Sequence, residues 1–202
     1  MAIRAALVDM DGTVHESGIE WRALRREIGL PWDGRPILDQ LAGADPATRE
    51  RGTVLLHRAE AESSSTGRLI AGAVELLSAL RCHGVRCALV TNNSRASAET
   101  VLDRHGLRFD LVLTRDDGRT KPEPHLLLDA LRRLGVAAEE ALVIGDAHID
   151  AMAAAAAGIP EIVLVGTPEW MKEHIPVGVT YREASDLFAA RDLILGLLGE
   201  PD

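Results

Sequence analysis

The chain has 202 residues, of which 47% are hydrophobic, and its formal net charge is -9 at pH 7. This length and apolar content exclude a disordered or fibrous protein and predict one well-buried core with room for a small inserted lobe. The negative charge argues against nucleic acid and anionic membranes as partners, although it still allows a local cationic pocket for an anionic substrate.

No run of about 18 apolar residues occurs, and the first apolar run, at residues 5–8, is too short for the core of a signal peptide. We therefore expect a cytoplasmic protein with no membrane partner. The two cysteines, Cys82 and Cys87, match neither a zinc site nor a disulfide framework, and we expect both to be buried free thiols. No pattern in the sequence indicates an oligomeric state.

Short apolar runs alternate with segments of helical periodicity along most of the chain. The runs, each predicted to be a strand, cover residues 3–9, 85–91, 111–114, 141–146 and 161–166. Predicted helices between them end at Gly84, Gly135 and Gly158, as is typical of glycine C-caps. This alternation predicts an α/β fold, a Rossmann-like three-layer core in which helices cover both faces of a parallel sheet.

One segment, residues 16–68, interrupts the alternation because it has helical signals and no strand. Asp45 and Pro46 supply a helix N-cap followed by proline at the first helical position. The serine-rich stretch at 63–67 is typical of a flexible connector. The segment is therefore predicted to be an inserted helical lobe.

The predicted domains follow from this interruption. A helical lobe of residues 16–68 is inserted into a core that comprises residues 1–15 and 69–202. The arginines of the lobe are interleaved with acidic residues, which indicates solvated helix faces for most of them. We expect Trp21 and Trp32 to pack in the interior of the lobe and not to contact a ligand.

Polar residues follow four of the predicted strands. In chain order they are Asp9 and Asp11, Thr91 and Asn92, Lys121, and Asp146 with Asp150. Because ligands bind beyond the carboxyl ends of parallel strands, these residues are expected to meet at one edge of the sheet. Carboxylates gathered in this way repel each other unless a cation lies among them. Mg²⁺, which takes carboxylate oxygens together with water and substrate phosphate, fits this requirement.

Four segments resemble, in order and spacing, the motifs of the haloacid dehalogenase-like hydrolase superfamily. They are DMDGT at 9–13, VTNNS at 90–94, KPEP at 121–124 and GDAHID at 145–150. The resemblance covers residues 3–15 and 72–166. The lobe between the first two motifs is similar to the helical cap of the phosphoglycolate phosphatase-like subclass.

The resemblance implies a Mg²⁺-dependent phosphatase that hydrolyses a small-molecule phosphate monoester through an aspartyl-phosphate. Asp9 would be the nucleophile. Asp11 would protonate the leaving oxygen and then take a proton from the attacking water. The close spacing of Asp9 and Asp11 would then serve the chemistry, because one carboxylate must stay ionised while the other carries a proton.

The resemblance also implies the groups that hold the phosphoryl oxygens, namely Thr91, the backbone N–H of Asn92 and Lys121. Lys121 is conspicuous for a second reason. The chain has 22 basic residues, and only Lys121 and Lys172 among them are lysines. A lysine placed in a motif of such a chain is predicted to be required by the chemistry, at the edge of the substrate pocket.

For the metal, the resemblance implies three ligands from the protein: the Asp9 carboxylate, the backbone carbonyl of Asp11 and the Asp146 carboxylate. Asp150 would orient these ligands or their waters. Two other functions use the same residues. A phosphomutase would pass the phosphoryl group to a second substrate hydroxyl in place of water, and a non-catalytic protein would sense a phosphorylated ligand.

Overall fold

The computed structural model describes residues 2–199. The strands in chain order are β1 (Ala5–Val8), β2 (His15–Glu16), β3 (Arg68–Leu69), β4 (Arg86–Val90), β5 (Leu111–Leu113), β6 (Ala141–Gly145), β7 (Glu161–Val165) and β8 (Arg182–Ala184). Six of them form a parallel sheet in the order β5-β4-β1-β6-β7-β8. The predicted α/β class and the five predicted strands are confirmed. Residues 1 and 200–202, which the predicted core domain included, lie outside the described residues.

The α-helices lie on both faces of this sheet and in the segment between β2 and β3. In chain order they are α1 (Trp21–Ile28), α2 (Ile37–Gly43), α3 (Pro46–Thr66), α4 (Ala73–Cys82), α5 (Arg95–His105), α6 (His125–Leu134), α7 (His148–Ala156), α8 (Glu169–Lys172) and α9 (Leu187–Leu198). Apolar residues of α4, α5 and α9 pack on one face, and those of α6 and α7 pack on the other. No helix within the described residues is long and apolar enough to cross a membrane.

Strand β1 shows why the apolar runs form the centre of the sheet. Its successive side chains point to opposite faces. Ala6 and Val8 belong to the apolar cluster on one face, while Ala5 and Leu7 belong to the cluster on the other, and all four are buried. A strand covered on both faces needs an unbroken apolar sequence, which is the pattern that predicted it.

Helices α1, α2 and α3 surround an apolar cluster of their own. Its buried members are Leu24, Ile28, Ile37, Leu41 and Leu56. Helix α3 begins as predicted, with the Asp45 carboxylate accepting a hydrogen bond from the backbone N–H of Thr48 at 3.0 Å and with Pro46 in the first turn. An antiparallel two-residue ribbon, β2 with β3, joins this helical segment to the sheet.

The serine-rich stretch at 63–67 is not the flexible connector that its composition predicted. Helix α3 continues to Thr66, and Ser63 and Ser64 are buried. Ser63 Oγ lies 3.3 Å from Nε2 of His15, and Arg104 donates a hydrogen bond to the carbonyl of Ser64 at 2.8 Å. These contacts with the core satisfy polar groups that would otherwise favour a solvated loop.

The prediction for the cysteines is half wrong. Both are free, but only Cys87, on β4, is buried, whereas Cys82 is exposed at the end of α4. Strands β2, β3 and β8 and helices α2, α5, α8 and α9 were not predicted individually. The first three are only two or three residues long and carry little periodic signal.

Candidate active site

The floor of the candidate site is the carboxyl edge of the three central strands. Asp9 directly follows β1, Thr91 follows β4, and Asp146 follows β6. Because β1 lies between β4 and β6 in the sheet, the ends of the three strands are neighbours. The residues here called the floor are those predicted from the motifs, which all line or adjoin one cavity: Asp9, Asp11, Thr91, Asn92, Lys121, Asp146 and Asp150.

Lys121 lies at the centre of the floor. Its Nζ is 2.6 Å from Oδ1 of Asp9 and 2.6 Å from Oδ1 of Asp150. Its side chain is 2% exposed, so the expectation that it sits at the pocket edge is wrong. Two carboxylates compensate the buried ammonium, which makes the burial of a lysine tolerable. The second oxygen of Asp150 accepts a hydrogen bond from the backbone N–H of Ala147 at 3.1 Å.

Two asparagines hold the floor in ways that the motif analysis did not predict. The Asn92 side chain makes two hydrogen bonds to the backbone of Lys121, donating to its carbonyl at 2.8 Å and accepting from its N–H at 2.9 Å. Asn93 donates from Nδ2 to Oδ2 of Asp11 at 2.6 Å, and its N–H donates to Thr91 Oγ1 at 3.1 Å. The amides thus fix the positions of the lysine and of the second aspartate.

Two glycines make room for carboxylates of the floor. Gly12 has a φ of +83°, and a Cβ at this position would lie 2.1 Å from Oδ2 of Asp146. A Cβ on Gly145 would lie 2.4 Å from Oδ2 of Asp150. Both carboxylates therefore lie against backbone that only glycine permits.

Burial dominates the electrostatics of the floor. It raises the pKa of Asp9 to about 6 against the opposing effect of Lys121. Burial, followed by the charge of Asp9, raises the pKa of Asp11 to about 7. Burial and the neighbouring Asp9 and Asp150 carboxylates also raise the pKa of Asp146. The pKa of Lys121, which burial alone would lower, is raised by Asp150 and Asp9.

The floor has the character of a divalent-cation site. Carboxylate oxygens of Asp9, Asp146 and Asp150 lie within 4.8 Å of one another. Four carboxylates lie close to a single lysine here, so the floor carries an excess of negative charge. The three carboxylates of this cluster fit a hard cation with oxygen ligands, such as Mg²⁺. Asp11 Oδ1 is also buried and has no hydrogen-bond partner among residues 2–199, but the Asp11 carboxyl group is not part of the cluster.

A roof lies over the floor, and the two line a cavity of about 200 Å³ that is partly open to solvent. The residues here called the roof come from helices α1 to α3, from the loop after α1 and from the segment around α8. They are Trp21, Arg25, Trp32, Gly34, Arg35, Pro36, Ile37, Leu38, Leu56, Glu60, Trp170 and Met171. Trp21 packs against the apolar cluster of the helical segment, but Trp32 is 39% exposed, so the expectation that it packs in the interior is wrong.

An ion pair joins the roof to the floor. Both oxygens of Glu60, on α3, accept hydrogen bonds from the guanidinium of Arg115, at 2.5 and 2.7 Å. The Glu60 side chain is 4% exposed and that of Arg115 is 12% exposed. Arg115 also donates to the carbonyl of Asn92 at 3.2 Å. No local sequence signal marks this pair, because its members are 55 residues apart and belong to no shared motif.

A hydrogen bond and contacts between aromatic rings also join the loop after α1 to α7 and to the segment around α8. His148 Nε2 donates to the carbonyl of Gly34 at 3.0 Å, and the His148 and His174 rings are 5.3 Å apart. Trp32 and Trp170 lie with ring centroids 5.1 Å apart. His148 falls within the fourth motif, and this contact with Gly34 gives it a packing role.

Comparison with known proteins gives a consistent result. The model of a hydrolase family described as haloacid dehalogenase-like hydrolase matches residues 3–158. A bifunctional riboflavin kinase/FMN phosphatase from Arabidopsis thaliana is 30% identical over 81% of this chain and 48% of its own length. A phosphoglycolate phosphatase from Pseudomonas syringae pv. tomato is 30% identical over 78% of this chain and 68% of its own length. The chain thus spans about half to two thirds of these relatives.

Solved structures support the fold. A hydrolase from Pseudomonas syringae superposes with a TM-score of 0.80, covering 97% of this chain and all of the other, at 21% sequence identity. At this identity the likeness concerns the arrangement of helices and strands. It agrees with the parallel sheet and the helical segment described above.

Proposed function

Because the chain belongs to the haloacid dehalogenase-like hydrolase family, we propose that it is a Mg²⁺-dependent phosphatase that hydrolyses a small phosphate monoester through an aspartyl-phosphate on Asp9. One observation carries the proposal: the two neighbouring aspartates have different partners. Asp9 contacts the ammonium of Lys121, whereas Asp11 contacts the neutral amide of Asn93. Asp9 is therefore the carboxylate favoured to ionise, and Asp11 is the one favoured to hold a proton.

In the first step, a carboxylate oxygen of Asp9 attacks phosphorus while the bond from phosphorus to the leaving oxygen breaks. Asp11 donates its proton to that oxygen, so the alcohol departs neutral. With Oδ2 of Asp11 held by Asn93, the unpartnered Oδ1 is the oxygen available for this transfer. The products are the alcohol and an aspartyl-phosphate.

In the second step, water hydrolyses the aspartyl-phosphate. Asp11, now ionised, takes a proton from the water as its oxygen attacks phosphorus. The bond from phosphorus to the Asp9 oxygen breaks, which releases phosphate and restores the carboxylate. Asp11 thus ends each cycle protonated again.

Positive charge and hydrogen-bond donors stabilise the phosphoryl oxygens in both steps. Lys121, the Thr91 hydroxyl and the backbone N–H of Asn92 are the proposed donors. We propose that the Asp9 and Asp146 carboxylates and the Asp11 carbonyl hold Mg²⁺, which would supply charge that offsets the repulsion between the phosphate and the attacking carboxylate. Asp150, whose oxygens are bonded to Lys121 and Ala147, acts through those groups.

We also propose that residues 16–68 act as a cap that excludes bulk water from the site while admitting the one water molecule that the second step consumes. The separate apolar cluster of helices α1 to α3 and the Glu60–Arg115 ion pair support this role. Water exclusion strengthens the electrostatic interactions on which both steps depend. A cavity closed in this way favours small phosphate esters over phosphoproteins.

A phosphate-release assay tests the function. Purified protein is incubated with a panel of phosphate monoesters, including 2-phosphoglycolate and FMN, with Mg²⁺ and again after chelation. We expect phosphate release that depends on Mg²⁺. Positional isomerisation of a sugar phosphate without release would instead indicate a mutase, and ligand binding without turnover would indicate a sensor.

A further inference from the structure

The tryptophans of this chain are gathered in one place. The sequence contains three tryptophans, one tyrosine and two phenylalanines. All three tryptophans, Trp21, Trp32 and Trp170, line the cavity that also contains Asp9 and Asp11. Trp21 and Trp32 come from the helical segment, while Trp170 comes from α8 of the core, some 140 residues later in the chain.

We propose that the three tryptophans form the pocket for the leaving group and select phosphate monoesters whose alcohol carries a single flat aromatic ring, an inference that rests on the phosphatase function proposed above. Aromatic side chains favour other flat rings because stacking and edge contacts add to the apolar area that is buried. The tryptophans and Asp9 line the same cavity, so that one small ester can reach both.

The exposed tryptophans are held in place before any ligand binds. Trp32 and Trp170 are 39% and 38% exposed, yet their rings contact each other. The guanidinium groups of Arg22 and Arg25 both lie 5.2 Å from the centroid of Trp32. Arg25 is fixed in turn by the Gln40 side chain, to which it donates at 3.1 Å. Such preorganisation is expected of a binding surface, because it lowers the entropy lost on binding.

The charges of the roof disfavour a leaving group that carries a carboxylate. The arginines that line the cavity among residues 2–199 already have oxygen partners. Arg25 donates to Gln40 and to the carbonyl of Arg35, and Arg35 pairs with Asp33. Glu60 also lines the cavity, and its pair with Arg115 occupies both terminal nitrogens of that guanidinium. A leaving group with a neutral ring needs no cationic partner in the roof.

The size of the cavity limits the leaving group further. Its volume of about 200 Å³ is below the roughly 300–1,000 Å³ typical of pockets for larger small molecules. A phosphate and one ring therefore suit it better than a fused ring system or a nucleotide. The apolar neighbours Ile37, Leu38 and Met171 complete the lining beside the tryptophans.

Matched substrates test the inference. Benzyl phosphate and ethyl phosphate are both esters of primary alcohols and differ mainly in the ring, so the ratio of their kcat/KM values reports on the pocket. We expect benzyl phosphate to be preferred by about tenfold or more. Cyclohexylmethyl phosphate, which is apolar but not flat, should fall between them, and 2-phosphoglycolate should be a poorer substrate than benzyl phosphate.

Variants connect the preference to particular side chains. Trp32→Ala and Trp170→Ala should each lower the benzyl-to-ethyl ratio about tenfold. Phe188→Ala is the matched control, because Phe188 is also an aromatic residue, 39% exposed, with the arginine Arg191 5.7 Å from its ring, but it lies outside the cavity. This control should leave the ratio unchanged.

A binding measurement separates the substrate class from the catalytic function. Benzylphosphonate, which cannot be hydrolysed, should quench the tryptophan fluorescence of the wild-type protein in the presence of Mg²⁺, and it should do so less in Trp32→Ala. Three results would overturn the inference and leave the phosphatase function intact. They are equal turnover of ethyl and benzyl phosphate, a preference for FMN, and a benzyl-to-ethyl ratio that the tryptophan variants do not change. If no ester were hydrolysed, the phosphatase function would fail, and absence of quenching would overturn the pocket separately.

Discussion

The floor and the roof of the cavity differ in burial, in charge and in how their side chains are held. On the floor, Lys121 is 2% exposed and contacts two carboxylates at 2.6 Å. On the roof, Trp32 and Trp170 are more than a third exposed and are held by ring contacts. Charged groups at hydrogen-bond distance tolerate little displacement, whereas apolar rings accept many partners. The floor is therefore suited to one reaction, and the roof to the choice of substrate.

This comparison predicts that floor variants lower turnover of every substrate alike. Asp9→Asn should reduce kcat by about 10⁴-fold or more, because the amide is not a nucleophile and no other group takes its place. The circular dichroism spectrum should stay that of the wild type. Asp192→Asn, at an exposed aspartate, is the control and should be fully active. Turnover of Asp9→Asn within tenfold of the wild type would remove Asp9 from the mechanism.

Lys121→Arg tests the geometry of the floor at constant charge. We expect kcat/KM to fall about 100-fold or more with each substrate, because a planar guanidinium cannot replace the compact ammonium between Asp9 and Asp150. The larger group in a buried position should also lower the free energy of unfolding, by about 1–3 kcal/mol. Kinetics and thermal denaturation measure the two effects.

The other lysine provides the control for this variant. Lys172 pairs with Glu169 and Glu183 on the protein surface, so Lys172→Arg should alter neither quantity. Near-normal kcat/KM of Lys121→Arg would mean that the ammonium geometry does not matter to the reaction.

Much of the floor could be predicted because its signals are local. The apolar runs gave the strands, and the order of the strands brings Asp9, Thr91 and Asp146 together at one edge. Burial of Lys121 could not be predicted in the same way. A lysine is normally exposed, and its burial depends on two carboxylates that are distant in sequence.

Little of the roof could be predicted, because its contacts join residues far apart in the chain. His148 contacts Gly34, which lies 114 residues earlier in the chain, and Glu60 pairs with Arg115, which lies 55 residues later. Whether Trp32 packs inside the helical segment or faces the cavity depends on how that segment packs on the core. Helical and strand periodicity do not predict this packing.

Glu60→Gln weakens the ion pair that joins the roof to Arg115. The amide keeps one hydrogen bond to Arg115 but loses the charge, so the roof should be open for more of the time. We expect KM to rise about tenfold, the effect of losing one hydrogen bond to a charged group. Limited proteolysis should also be faster at residues 17–20, the connector between β2 and α1, since the stretch at 63–66 is helical.

An exposed residue on the same helix is the control for this variant. Glu62→Gln should match the wild type in both KM and cleavage rate, because Glu62 is exposed on α3. A Glu60→Gln protein with wild-type KM and wild-type cleavage would show that the ion pair does not hold the roof in place.

In the proposed mechanism the phosphoryl group passes through Asp9, and trapping the phosphoenzyme tests this step. Asp11→Asn should slow hydrolysis of the intermediate, while 4-nitrophenyl phosphate, whose leaving group needs no protonation, should still phosphorylate the protein. After an acid quench, we expect one phosphoryl group on the peptide that contains Asp9, stable in acid and removed by hydroxylamine. No label should appear when Asp9→Asn is combined with Asp11→Asn. Label on another residue would show that Asp9 is not the nucleophile. Phosphate release by Asp11→Asn with no labelled protein at any time point would rule out the phosphoenzyme.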